Sequence, residues 1–216
     1  SIWGGSAPAT PYTVNRESGR GPAWVNSLFE DNAEHGLGLY IGQKTLRNKL
    51  IGYVRELRDE VKDEEKLAVI DAYLNTLEDG KANEAATKAL VAMLEGCDCK
   101  SELKDKILRD KQYLSKKAVW IFGGDGWAYD IGFGGLDHVL ASGEDVNVMV
   151  FDTEVYSNTG GQASKSSNIG QVAQFAAAGK EIGKKNLAEI AMSYGYVYVA
   201  QVAMGADMSQ TLKAIA

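Results

Sequence analysis

Two short apolar-rich runs, at residues 118–122 and 146–151, both break off into polar loops, and the stretch between them carries Ala128, Ile131, Leu136, Val139 and Leu140 at helical spacing. This pattern constrains the chain most, because a run too short for a helix, then a period of 3.6, then another short run spells strand, helix, strand. Parallel neighbours need such a crossover, whereas antiparallel ones do not. Further on, Asn186 with Glu189 three residues later reads as a capping box that opens a helix to Met192. Residues 196–200 (Tyr-Val-Tyr-Val-Ala) read as another buried strand, and Asp207 with Gln210 opens a last helix. The expectation for residues 118–216 is an α/β core with a mainly parallel sheet and flanking helices.

Charge divides the rest. Of the 63 positions from 55 to 117, 28 are charged, against 24 in the other 153. Leading into this zone, Leu46, Leu50, Tyr53, Leu57 and Val61 fall on one helical stripe, and Leu67, Ile70, Leu74 and Leu77 repeat it. Ala86, Leu90 and Leu94, then Leu103, Ile107 and Leu114, predict two more short helices, with breaks at Gly80 and at residues 96–99. Residues 43–117 are therefore expected to be a charged helical insert whose polar face is solvated. Residues 1–42 hold Pro8, Pro11 and Pro22 and are expected to be loop-rich, with one short helix around residues 24–34. The three zones make up a single domain over residues 1–216.

The longest unbroken apolar run is six residues (89–94), far below the roughly 20 that span a bilayer. A net charge of −6 also argues against a phosphate-backbone binder. Neither membrane nor nucleic acid is an expected partner, and a soluble cytoplasmic setting is. The chain starts without Met or a signal-type segment and stops inside a helical pattern, so it reads as a piece of a longer protein. Cys97 and Cys99 supply two of the four thiolates an iron–sulfur cluster needs and are expected to sit in a surface loop. His35 and His138 are isolated and read as surface or structural residues, and Lys165 and Arg20 as solvated charges or interface contacts.

Two loops leave the carboxyl ends of the expected strands: residues 123–127 (Gly-Gly-Asp-Gly-Trp) and residues 152–161 (Asp-Thr-Glu-Val-Tyr-Ser-Asn-Thr-Gly-Gly). In parallel sheets ligands bind beyond those ends. Glycines let backbone amides approach an anion, but a carboxylate there repels one. Asp125 makes sense if a divalent cation lies between it and a phosphate, with oxygens of the second loop completing the shell. Competing phosphate motifs fail on spacing. The dinucleotide fingerprint needs Gly where Tyr129 stands, and the P-loop needs Gly where Thr159 and Ser164 stand.

What remains is Gly-Asp-Gly followed, after 26 intervening residues, by an oxygen ligand at Thr153. That is the spacing of the thiamine diphosphate motif. Residues 123–132 and 152–165, with residues 1–13 and 19–24, closely resemble the pyruvate:ferredoxin (flavodoxin) oxidoreductase family. The generic motif ends in Asn-Asn, whereas Thr153 stands here, a departure that the oxidoreductases share.

The resemblance implies a thiamine diphosphate-binding fold in which Asp125 gives Mg²⁺ a carboxylate, Thr153 a hydroxyl and Val155 a backbone carbonyl. Gly124, Gly126 and Trp127 line the cofactor, together with Glu154, Tyr156 and Ser157 of the second loop. Asn158 stands beside the thiazolium and substrate, where its amide can donate to a developing oxyanion. The reaction implied is decarboxylation of pyruvate, two one-electron oxidations through iron–sulfur clusters, and acetyl transfer to coenzyme A. Ferredoxin or flavodoxin takes the electrons. The clusters, the glutamate that activates the cofactor and the other domains lie elsewhere in a homodimeric parent, so the piece alone is expected to be inactive. Two alternatives stay open: a thiamine diphosphate enzyme acting on another 2-oxo acid, and a non-catalytic module that docks on missing domains.

Overall fold

The computed structural model describes residues 5–7, 24–26, 33–98 and 100–216. Contacts divide the chain into two compact units, residues 38–120 and residues 121–216 with the segment before 38. Near the N-terminus β1 (Gly5–Ala7) pairs antiparallel with β2 (Trp24–Asn26), Ser6 opposite Val25. The helix expected around residues 24–34 is replaced at its start by this strand. Trp24 and Val25 are strand-favouring residues, and a partner strand is available. Helix α1 runs over Ala33–Glu60, thirteen residues ahead of its expected apolar stripe and through Gly36, Gly38 and Gly42. At about 1 kcal/mol per glycine a helix there is costly by propensity, so contact must compensate. At Gly36 it does, since a Cβ would come within 2.7 Å of the Ile121 side chain.

In the unit of residues 38–120 the expected periodicities become α2 (Glu64–Asn75), α3 (Gly80–Glu95) and α4 (Glu102–Arg109), followed by a 3-10 turn at Lys111–Tyr113. Each helix is started by a side-chain cap. Asp63 accepts from the Glu65 amide (3.0 Å), Asp79 from Ala82 (2.9 Å) and Ser101 from Lys104 (3.4 Å). Leu50, Ile51, Val54, Leu57, Ile70, Tyr73, Leu90, Leu94, Ile107 and Leu114 close one buried apolar cluster. Each such side chain contributes about 1.5–3 kcal/mol. Inside it sits a polar hub that periodicity does not reveal. Fully buried Asn83 accepts from the Lys116 amide (2.8 Å) and from Arg47 (3.3 Å), and Arg47 also donates to the Leu77 carbonyl (2.7 Å).

In the other unit β3 (Trp120–Gly123) pairs with β4 (Asn147–Val150). The Phe151 amide donates to the Gly123 carbonyl (2.8 Å), which joins the two carboxyl ends and makes the pair parallel. Between them lie α5 (Asp125–Tyr129) and α6 (Phe133–Ala141), joined by a tight turn in which Gly132 closely approaches the Trp127 carbonyl, where a Cβ would overlap it. After β4 a small antiparallel pair, β5 (Val155–Tyr156) and β6 (Gln162–Ala163), is followed by an irregular stretch, α7 (Leu187–Met192) and α8 (Met208–Ile215). The expected caps form: Asn186 accepts from the Glu189 amide at 3.3 Å and Asp207 from Gln210 at 3.0 Å.

Residues 196–200 are not a strand. One side chain, Tyr196, ties the start of the segment down in place of a ladder. The Tyr196 hydroxyl donates to the Leu140 carbonyl (2.9 Å), and neighbouring Tyr194 donates to Asp137 (2.6 Å). The described sheet is thus a parallel pair, smaller than the sequence suggests. No described helix is long and apolar enough to cross a membrane.

Candidate cofactor and metal site

Gly124 and Asp125 sit at the turn from β3 into α5, where the first amides of a helix have no partner within it. Gly124 is the cap residue and makes no side-chain bond. Gly126 is needed for space, because a Cβ there would overlap the Tyr156 ring. Trp127 is buried, and a Cβ on Gly123 would overlap its indole. The first loop therefore lies close against the second at Gly126, and Gly123 makes room for the first loop's own indole.

Asp125 is 3% exposed, and its carboxylate organises the second loop. Its Oδ1 accepts from the Thr153 and Glu154 amides (both 3.1 Å), and its Oδ2 accepts from the Thr153 amide (3.1 Å) and hydroxyl (2.6 Å). The Thr153 hydroxyl lies 3.3 Å from the Val155 carbonyl and in hydrogen-bond contact with Ser157 Oγ. One carboxylate, one carbonyl and two hydroxyls thus converge. Glu154 takes a left-handed backbone (φ 67°), which costs a non-glycine residue about 1–2 kcal/mol. Its amide on Asp125, and its carbonyl on the Ser167 hydroxyl, hold it there.

This donor set fits Mg²⁺. All four groups are hard oxygens, and Mg²⁺ binds through one or two carboxylates plus substrate phosphates rather than an all-protein cage. No group of three His, Cys, Asp or Glu able to hold a metal occurs among the described residues. Asn158 is exposed at the end of the second loop, with no hydrogen bond to the other described residues. Tyr156 lies in β5 against Gly126.

A second layer escaped the sequence reading. The Tyr129 hydroxyl donates to Asp152 Oδ2 (2.7 Å), and Lys184 pairs with the same oxygen at 2.6 Å. Burial alone raises the Asp152 carboxyl, but the hydrogen bonds from Lys184 and Tyr129 and the Lys184 charge hold it below its ordinary value. Burial, reinforced by Asp152 and Asp125, pushes the Tyr129 hydroxyl far up, so it stays a donor. Asp130 accepts from the Ser164 hydroxyl and the Lys165 amide (3.0 Å), and the Lys165 ammonium lies 3.6 Å from it. The Gly-Gly-Gln-Ala-Ser-Lys string gives no periodic signal for these contacts.

Other candidates separate from the site. His35 and His138 are exposed on α1 and α6. Arg20 and Cys99 lie outside the described residues, and no described cysteine carries a free thiol.

Residues 106–216 match the family described as thiamine pyrophosphate enzyme, C-terminal TPP binding domain. Over its full length the chain is 52% identical to a pyruvate-flavodoxin oxidoreductase of Klebsiella pneumoniae and 53% identical to a pyruvate:ferredoxin oxidoreductase of Moorella thermoacetica. It is 42% identical to a pyruvate dehydrogenase [NADP(+)] of Cryptosporidium parvum. The chain spans 18%, 19% and 13% of those three proteins.

Proposed function

The chain belongs to the thiamine pyrophosphate enzymes, whose C-terminal TPP-binding domain it carries, and from that premise we propose that it holds the diphosphate end of the cofactor through Mg²⁺ in a pyruvate-oxidising enzyme. The observation that supports this most is the convergence of the Asp125 carboxylate, the Thr153 hydroxyl and the Val155 carbonyl at the end of a parallel strand pair. When bound, thiamine diphosphate supplies the nucleophilic carbon and electron sink for decarboxylating a 2-oxo acid.

Asp125, Thr153 and Val155 bind the metal in this reading. Gly124 and Gly126 bring backbone amides to the diphosphate, Trp127 packs behind them, and Glu154, Tyr156 and Ser157 frame the opposite wall. Asn158, exposed and otherwise unengaged, donates its amide to the substrate oxygen where negative charge develops. Residues 1–216 act as one cofactor-binding domain, with residues 43–117 as a helical insert. The relatives' names support pyruvate as substrate and ferredoxin or flavodoxin as electron acceptor. Coenzyme A as acetyl acceptor, iron–sulfur clusters held by other parts of a longer polypeptide, and a homodimeric assembly in the cytoplasm complete the proposal.

A docking role runs beside this one and is favoured by a separate observation. Ile169, Val172, Phe175 and Ile182 are all at least 70% exposed, and Phe175 reaches 93%. Apolar residues displayed together in this way mark a surface that other domains cover.

Calorimetric titration of thiamine diphosphate into the full-length protein, with Mg²⁺ and with EDTA, tests the cofactor reading. Binding should require the metal and should be lost in Asp125→Ala, because a hydrogen-bonded charge contributes about 1.5–3 kcal/mol. Metal-independent binding of equal strength in the variant overturns the assignment.

A further inference from the structure

Lys184 comes from the irregular stretch before α7, yet its ammonium reaches the second loop at two points. It pairs with Asp152 at 2.6 Å and lies 3.8 Å from Glu154. Those two residues flank Thr153. Its chain also lies over the Tyr129 ring, with the ammonium 5.7 Å from the centroid, while the Tyr129 hydroxyl shares the Asp152 oxygen at 2.7 Å. Lys184 and Asp152 are both 28% exposed, so solvent screens the pair less than it screens a freely exposed one.

Three carboxylates, Asp125, Asp152 and Glu154, are thus gathered on two loops around Thr153, and Lys184 is the cation placed between two of them. Asp152 is fixed by Tyr129 and Lys184, and Thr153 by Asp125. Glu154 is held in its left-handed backbone by Asp125 and Ser167, with Lys184 near its carboxylate. Without the ammonium, Asp152 and Glu154 repel each other across Thr153 and the strained residue loses a restraint.

We propose that Lys184 is a positioning residue for the metal-binding loop: by drawing Asp152 and Glu154 together it keeps the Thr153 hydroxyl and the Val155 carbonyl facing Asp125. The proposal rests on the reading of those three groups as Mg²⁺ ligands. It has a sign that simple electrostatics does not share. Removing a positive charge near a cation site tightens cation binding by Coulomb attraction alone, whereas removing a positioning contact weakens it. The observed sign therefore separates the two.

The test is a Mg²⁺ titration of the metal-free full-length protein at fixed thiamine diphosphate, followed by calorimetry and by tryptophan fluorescence. Lys184→Met should raise the half-saturating Mg²⁺ concentration roughly 10–100-fold, the usual effect of losing a group that orients a metal ligand. Cofactor affinity at saturating Mg²⁺ should stay near wild type, and Lys184→Arg, which keeps the charge, should restore most of the loss. Lys184→Gln, which also removes the charge but keeps a polar side chain, should move the same concentration in the same direction, and it serves if the Met variant does not fold. Unchanged or tighter Mg²⁺ binding in Lys184→Met or Lys184→Gln, with metal-dependent binding lost in Asp125→Asn, overturns the role of Lys184 and leaves the ligand assignment standing. Wild-type binding in Asp125→Asn overturns the ligand assignment, and the positioning role falls with it.

Discussion

Replacing Asp125 by Asn tests whether one buried carboxylate organises the second loop before any ligand arrives. Three donors point at it: the Thr153 amide, the Thr153 hydroxyl and the Glu154 amide. A hydrogen bond to a charged group contributes about 1.5–3 kcal/mol and a neutral one about 0.5–1.5, so each donor loses about 1–1.5 kcal/mol when the charge goes. The sum is about 3–4.5 kcal/mol, an upper figure, since three bonds to one group are not additive. About 3 kcal/mol is a factor of roughly 100 in local opening. Hydrogen–deuterium exchange of peptides covering residues 150–158, in the absence of metal, should therefore be about 100-fold faster in Asp125→Asn at the Thr153 and Glu154 amides. Peptides from α3 provide the reference for global unfolding and should not change. Loop exchange indistinguishable from wild type would refute the claim that the carboxylate holds the loop.

Gly126→Ala places a methyl group into the Tyr156 ring. Overpacking of this kind costs about 1–3 kcal/mol, so metal-dependent cofactor binding should weaken roughly 5–150-fold by calorimetry. Adding Tyr156→Ala, which frees that space, should recover part of the loss. In the helical unit, burial raises the Tyr73 hydroxyl to about 12. The folded state therefore keeps a proton that the unfolded chain loses near its ordinary value of 10. That stability is fully present below pH 10 and disappears as pH rises to about 12, on the order of 3 kcal/mol. Because Tyr129 and Tyr194 also titrate late, Tyr73→Phe should reduce the late component of the 295 nm absorbance titration by one tyrosine and lessen the alkaline loss of stability; an unchanged titration sinks the assignment.

Local chemistry made part of this fold legible. A cap needs only a side chain and an amide two or three residues away, so Asn186 and Asp207 announce their helices. The strand–turn–helix–strand spacing likewise places Asp125 and Thr153 on one edge, and the structure brings their side chains within 2.6 Å. Contacts without a period could not be read. Lys184 meets Asp152 across 32 positions, and Ser164 meets Asp130 across 34, with nothing in the intervening sequence to mark either pair. The early start of α1 is hidden by glycines that propensity counts against a helix, although Gly36 is what lets Ile121 approach. Residues 196–200 show the converse error. Alternating Tyr and Val predict a strand, but a strand exists only through a paired neighbour, and here the hydroxyls of Tyr194 and Tyr196 anchor only the approach to the segment and its first residue.

The two units are stabilised by different means, and the difference bears on function. The helical unit contains a closed apolar cluster of ten buried side chains, the kind of core that holds without a ligand. Around the site Ile121, Trp127, Ala128, Tyr129, Leu136 and Val139 are buried, but so are Asp125 and the mutually hydrogen-bonded Ser164, Ser166 and Ser167, while Ile169, Val172, Phe175 and Ile182 face outward. A net hydrogen bond contributes about 1 kcal/mol and an apolar side chain left exposed contributes nothing, so a bound ligand adds a larger share to the stability of this unit. A ligand that binds only the folded form adds about 2.7 kcal/mol at a hundredfold excess over its dissociation constant. That increment acts on the loops carrying Asp125 and Thr153, whose shape is maintained by polar contacts to Asp125, Asp152 and Glu154. Capture of metal and cofactor and ordering of this unit are in that sense one equilibrium, and the groups that set its position are the same oxygens that bind the metal.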